Sequence, residues 1–389
     1  MTRRSHSFSC KLLMMVLIGA ALWTAPASFA QTAGQASAPA SPPPDQNQDQ
    51  GGPAVDNGPM VIPKKKEPTE NTPPPAPAEP KIKNPNGEVY SLRVDVPIVT
   101  LDVNVILDKN HQFVPGLKAG NFLVLEDGVE QKVDTVRITQ TPITAVMLLE
   151  FAANSWYVIN DMQNAAVSFF RSLHPEDYVA VMTYDLRTHI LCDFTNNQQV
   201  IAQSLMSLTI PTFSDTDMFD ALYETLDRSS RIPGRKYIIL IGTGRDTFSK
   251  LTLDKMLAKV KATPNVTIFT IGTGALLHQF DSGGIRELDY LQAQNQLKTF
   301  ATMTGGLSFS PLFQGELGDD FAQINNSIRN QYVLTYRPTN TKNDGSYRKV
   351  KVLLVDNEGH PLQMQDEKGK ALKYSVISRD GYNAKLPVE

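Results

Sequence analysis

The chain has 389 residues, 41% of them hydrophobic and 20% charged, with a formal net charge of -3. That balance fits a soluble globular protein and excludes a polytopic membrane protein or a wholly disordered chain. No basic stretch interleaved with aromatics occurs, which excludes the electrostatic footprint of phosphate binding, so no nucleic acid is expected as a partner.

Residues 1–30 read as an export signal: Arg3, Arg4 and Lys11 precede the apolar run LLMMVLIGAALWTA, and Ser28-Phe29-Ala30 offers the small residues of a cleavage site. The alternative, an uncleaved anchor, has a run shorter than the roughly 20 apolar residues that span a bilayer, so no transmembrane helix is expected in the mature chain. Cys10 precedes the run and leaves with it, so the mature chain keeps Cys192 alone, without an internal disulfide partner. In its stretch THILCDF, Cys192 reads as a buried structural thiol.

Residues 31–88 are rich in Pro, Ala, Gln and Asp and cannot bury a core; they read as a disordered tether, with Lys64, Lys65 and Lys66 as solubilising charges. Residues 89–138 then show period-two alternation at Val99, Leu101, Val103 and Val105, followed by NFLVLEDGVEQKVDTVRI, read as two strands joined by a tight Asp127-Gly128 turn. The segment is an expected antiparallel β opening.

From 139 to 330 the rhythm changes. Short apolar runs at 143–149, 177–184, 236–242 and 265–272, and a last one near 307, alternate with amphipathic stretches, which predicts a mostly parallel sheet covered by helices. Trp156, Ile159, Met162, Ala166, Phe169 and Leu173 make one helical face, and Met218, Leu222 and Leu226 another, with Asp217 and Asp220 in its first turn. Residues 331–389 return to antiparallel strands, QYVLTYRP, YRKVKVLLVD and LKYSVISRDGY, and are expected to pair with 89–138 in a small β-sandwich.

Enzymatic groupings are missing. The six histidines are scattered without HExxH spacing, and neither a GxSxG elbow nor a GxxxxGK[ST] phosphate loop is present. Gly242-Thr243-Gly244 and Gly272-Thr273-Gly274 follow strands and read as turns, and Ser282-Gly283-Gly284 as a mobile loop.

The ordered set VTLDVNVILDKNHQFVPGLKAGNFLVLEDG, LHPEDYVAVMTYD, TDMFDALYETL, KYIILIGTGRDT, ATMTGGLSFS and RNQYVLTYRPTN resembles the von Willebrand factor A (VWA) family, closest to its bacterial, acidobacterial-type VWFA-related members. The resemblance implies an α/β, Rossmann-like domain with a mostly parallel central sheet flanked by helices, plus a small antiparallel β domain from the flanking strands. It also implies a metal-ion-dependent adhesion site (MIDAS) in three loops at the carboxyl ends of the strands, where magnesium takes oxygen from Asp, Ser and Thr and a partner supplies a carboxylate. Laid onto the family pattern Asp-x-Ser-x-Ser, Thr, Asp, this chain has Glu150, Ala152, Asn154, Thr216 and Thr243, so one ligand type of five survives. Asp215, Asp217, Asp220 and Asp246 neighbour the same rim.

The expectation is therefore an exported, periplasmic or extracellular interaction module that binds an unknown protein or cell-envelope partner without catalytic residues, cofactor or metal. Two alternatives stay open: a metal-dependent binder whose cation site is rebuilt from the neighbouring aspartates, and a hydrolase or other enzyme with an unrecognised site, for which Glu150 is the candidate base.

Overall fold

A computed structural model describes residues 81–83, 89–91, 97–138, 142–208, 211–278 and 287–384. The segment read as an export signal, nearly all of the segment read as a tether and residues 282–284 lie outside the described residues. In chain order, β1 (Lys81–Lys83) and β2 (Val89–Ser91) form an antiparallel ribbon. Then come β3 (Val99–Leu107), β4 (Phe122–Glu126), β5 (Val129–Gln131) and β6 (Val133–Ile138). Asp127 (φ 48°) and Gly128 (φ 85°) are both left-handed, the backbone that a two-residue hairpin turn between β4 and β5 requires.

The α/β part follows: β7 (Thr144–Glu150), α1 (Trp156–Arg171), β8 (Tyr178–Tyr184), β9 (Thr188–Thr195), α2 (Gln198–Met206), α3 (Met218–Ser230), β10 (Lys236–Gly242), α4 (Leu253–Ala262), β11 (Val266–Gly272), α5 (Gly274–His278), α6 (Glu287–Thr304), β12 (Ser308–Phe309) and α7 (Leu317–Arg329). Its six strands lie in the order β12-β11-β10-β7-β8-β9, all parallel except β9, which runs antiparallel to β8. Counted by appearance from the β9 edge this is 3-2-1-4-5-6, the doubly wound order, whose direction reverses between β7 and β10; ligand crevices in such sheets open at that switch point, outside the carboxyl ends of the strands.

Alternate residues of the central strands serve the two faces. Met147, Leu149, Ile239 and Ile241 pack with Met162 and Phe170 of α1 and Phe321 of α7. Val146, Leu148, Ile238 and Leu240 pack with Leu222 of α3, Met256 of α4 and Phe300 of α6. Because both faces are covered, every residue of β10 and β11 is buried, which explains their unbroken apolar runs.

The chain ends in β13 (Tyr332–Tyr336), β14 (Tyr347–Leu354), the ribbon β15 (Met364–Gln365) with β16 (Ala371–Leu372), β17 (Tyr374–Ser378) and β18 (Gly381–Asn383). These strands interleave with the opening ones as two antiparallel sheets, β17-β3-β13-β6 and β18-β14-β4-β5, over a core that includes Val103, Val105, Val124, Leu334 and Val352. The structure thus has a Rossmann-like sheet flanked by helices and a small antiparallel β unit built from both flanks.

Three details differ from the sequence pattern. NFLVLEDGVEQKVDTVRI folds as three strands, because β5 stays beside β4 while β6 crosses to β13 in the other sheet. THILCDF is a strand, β9, at the sheet edge, where Cys192 is half-buried and burial raises its thiol pKa. Trp156, placed by periodicity on the core face, is 43% exposed at the first residue of α1, whereas Ile159, Met162, Ala166 and Phe169 are buried. No helix among the described residues is long and apolar enough to cross a membrane.

Candidate functional site

Glu150 ends β7 at the switch point, opposite Tyr184 of β8 and beside the segment that leaves β10. It is fully buried, and an ionised carboxylate is acceptor-only, so it is sustained there only by donors. Four groups donate. Thr243 gives its backbone N–H (2.7 Å) and its hydroxyl (2.8 Å) to Glu150 Oε2, Ser155 gives its hydroxyl to Oε1 (2.9 Å), and the Tyr184 hydroxyl lies 3.4 Å from Oε2. Burial still dominates, and the Glu150 carboxyl is pushed above its ordinary value despite these bonds. Burial, and then the Glu150 charge, pushes the Tyr184 phenol well above its own.

Gly242 leaves the space for this arrangement. A Cβ there would stand 2.6 Å from Glu150 Oε2 and 2.5 Å from the Tyr184 hydroxyl, inside contact distance. Gly242 is the last residue of β10 rather than part of a turn, and only Gly244 (φ 77°) has turn geometry.

The second and third loops are stitched to each other. The Thr216 hydroxyl donates to the Arg245 carbonyl (2.9 Å), its N–H donates to Thr247 Oγ1 (2.9 Å), and its carbonyl accepts the N–H groups of Thr247 and Phe248 (3.0 and 2.9 Å). Asp246 Oδ1 accepts the Phe219 N–H (3.0 Å) and the Ser249 hydroxyl (2.6 Å), while Asp220 accepts the N–H groups of Lys250 and Leu251 (3.0 and 3.1 Å). The Phe219 and Asp220 amides in the first turn of α3 are met from the neighbouring loop by Asp246 and Ser249, and Asp217, the N-cap by position, makes no side-chain cap bond.

Of the residues singled out from sequence, Glu150 and Thr243 are brought into direct contact, and Ala152 lies fully buried two residues on. Thr216 is buried in the stitched loops and Asn154 falls in the short turn Ala153–Ser155. Asp215 is exposed, Asp220 and Asp246 are half-buried, and Asp217 is only 7% exposed. Burial, with Asp220, Asp185 and Asp246 nearby, holds the Asp217 carboxyl up at about 8. Pattern matching missed Ser155, Tyr184 and Gly242. The only signal for them was the polar end of DYVAVMTY and a hydroxyl just past the expected motif spacing.

This donor set does not fit a divalent cation at the motif positions. Magnesium needs lone pairs turned inward at close range, whereas the groups around Glu150 turn N–H and O–H hydrogens inward. The Ala152 side chain offers no ligand atom, and the Thr243 backbone N–H that meets Glu150 Oε2 has no lone pair to give. Among the described residues no three His, Cys, Asp or Glu side chains are grouped to hold a metal.

No family model and no curated protein matches the chain. Among solved structures it is similar to von Willebrand factor type A from Catenulispora acidiphila (11% identity, 74% of this chain and 75% of that one, TM-score 0.39). It is also similar to the vWF domain of the type V pili tip protein Mfa5 from Porphyromonas gingivalis (15% identity, 49% and 96%, TM-score 0.38). A third is the PilB minor pilin from Streptococcus sanguinis (11% identity, 49% and 62%, TM-score 0.37), of which the chain spans less than two thirds.

Proposed function

We propose that this chain is an exported, non-enzymatic VWA-like module for protein interaction whose degenerate MIDAS works without a cation. The observation that carries the reading is the Glu150 carboxylate, closed in by four donors from Thr243, Ser155 and Tyr184. In this arrangement the extra methylene of Glu over Asp lets the carboxylate reach Thr243 directly. Hydrogen bonds then do the work of a bridging ion in joining β7 to β10. The same burial weighs against a hydrolase, because Glu150 is fully buried and its oxygens already accept protein donors. Export rests on the charged and apolar pattern of residues 1–30, and the partner is an unidentified protein or cell-envelope component in the periplasm or outside the cell.

The test is calorimetric titration of the mature chain with magnesium chloride, beside the variant Glu150→Asp, Ala152→Ser, Asn154→Ser, Thr243→Asp. The wild type is expected to give no heat of binding and the same melting temperature in EDTA as in magnesium. A melting temperature that falls in EDTA and recovers with magnesium overturns the reading, since a ligand that binds only the folded state must stabilise it.

A further inference from the structure

Beside the Glu150 lattice, Asp185, Asp217, Asp220 and Asp246 surround the start of α3, and three of the four are held by donors. Asp185 Oδ1 accepts the Arg187 N–H (3.0 Å) and lies 3.4 Å from His189 Nε2. Asp220 and Asp246 are held by the loop amides and by the Ser249 hydroxyl. Asp217 differs. Its backbone N–H donates to the Asp185 carbonyl (2.7 Å), but its side-chain Oδ1 is buried without a hydrogen-bond partner. Among the described residues no cation stands within ion-pair distance of it. Leaving a buried carboxyl oxygen unmet is costly, and the cost is recovered when a donor arrives from outside.

There is room for one. Asp217, Asp220 and Glu224 line a cavity of about 460 Å³, together with Phe248, whose ring is left 59% exposed, and the solvent-exposed Arg187 and Lys250. The geometry points to this cavity as the receptor for one basic side chain, a lysine or arginine, of a protein partner. Such a group brings donors for Asp217, and its charge matches an acidic floor; Phe248 beside it offers an aromatic face of the kind that attracts cations. A bare divalent cation fits less well, because it needs several close oxygens at once and no three acidic side chains here converge on a point. A partner carboxylate would meet like charge at Asp220 and Glu224, while Arg187 and Lys250, the cations on the same lining, are solvent-exposed. The α3 amides do not oppose the cation, because Asp246 and Ser249 already satisfy the amides of Phe219 and Asp220. Burial first, and then Asp220, Asp185 and Asp246, raise the Asp217 carboxyl to about 8, so in the free chain it holds its proton at neutral pH and a bound lysine or arginine draws it toward the ionised form.

This inference rests on the metal-free reading and inverts the polarity that the resemblance implied: the module supplies the carboxylate and the partner the cation. The probe is fluorescein-labelled hexalysine, titrated with the full chain and read by fluorescence anisotropy, with hexaglutamate as the opposite-charge control. Hexalysine is expected to bind, with Asp217→Asn weakening it by about tenfold and Phe248→Ala by about threefold, while Glu367→Gln in an exposed turn of the β unit changes nothing. No binding of hexalysine by the wild type overturns the inference, as does equal binding by wild type and Asp217→Asn, or equal weakening by Glu367→Gln, which reports diffuse charge. Hexaglutamate binding that requires magnesium overturns the metal-free reading and this inference with it. A melting temperature of Asp217→Asn at or above that of the wild type shows that lost affinity is not lost fold.

Discussion

A carboxylate at the end of a buried strand needs either a cation or a set of donors, and Glu150 has the second. Its neighbours are arranged for this one side chain: Thr243 donates twice, Ser155 reaches back across one turn, and Gly242 has no Cβ to intrude. The position of Gly242 makes the arrangement testable. In Gly242→Ala the new methyl group would overlap both Glu150 Oε2 and the Tyr184 hydroxyl, displacing the carboxylate from its donors while leaving it buried. Overpacking of this kind costs about 1–3 kcal/mol, and loss of a buried charge's hydrogen bonds adds to it. Urea unfolding of the wild type and the variant should show that loss as a lower midpoint with an unchanged slope. An unchanged midpoint would mean that the Glu150 pocket is loose rather than closed.

At the scale of elements, α7 contains a comparable conflict between pattern and charge. Leu317, Phe321, Ile324 and Ile328 place its apolar stripe on the sheet, and Asp320 falls on the same side, 7% exposed, with Oδ2 lacking a hydrogen-bond partner. Burial first, then the charges of Glu316 and Asp319, raises its carboxyl to about 7. A carboxyl raised in the folded state contributes stability that is complete below its unfolded pKa, near 4, and is lost as pH rises through about 7. The wild type should therefore lose stability between pH 4 and pH 8, and Asp320→Asn should flatten that slope and melt higher at pH 8. The gain is expected to be about 1 kcal/mol or more, tempered by the favourable helix dipole acting on the charged form. Melting curves across that range check it; parallel wild-type and variant profiles would remove Asp320 as the cause. Elements differ in how far they can be read from sequence for the same reason that Asp320 is awkward: environment decides. The parallel strands β7, β8, β10 and β11 stand out as apolar runs because helices cover both faces. The edge strand β9 is half-exposed, and α6 carries exposed Leu288 and Leu291 that blur its periodicity. In the candidate site, Glu150 and Thr243 are visible as strand ends, whereas Ser155, Tyr184 and Gly242 matter only through contacts across strands that no local pattern encodes.

At the scale of the molecule, the β unit and the α/β sheet are joined by specific ties rather than by a tether. Asp102 of β3 pairs with Arg235 just before β10 (2.7 Å), and the Asn104 side chain donates to the Ser327 carbonyl of α7 (3.1 Å). Asp380 donates its N–H to the Met303 carbonyl (3.2 Å), and the Arg379 side chain donates to the Thr263 carbonyl (3.2 Å). A close approach is at Gly305, just past α6, with φ 80°, where a Cβ would stand 2.7 Å from the Arg379 nitrogen and 2.9 Å from the Ser378 carbonyl carbon. The next residue, Gly306, has no room for a Cβ against the Ile268 carbonyl, so the pair fixes how the end of β17 and its following turn rest on the sheet unit. Gly305→Val combines a β-branched side chain at left-handed φ with backbone on the far side that cannot rotate away. The strain is relieved only by moving the Ser378–Asp380 segment off α6, which breaks the Arg379 and Asp380 bonds together. The expected result is a loss of about 2 kcal/mol or more. Calorimetry should then resolve two transitions in place of one, because two of the four ties that make the two parts unfold together are broken. A single transition at the wild-type temperature would show that the two parts are held by the Asp102 and Asn104 contacts alone, leaving β17 free to shift without consequence for the sheet that carries Glu150.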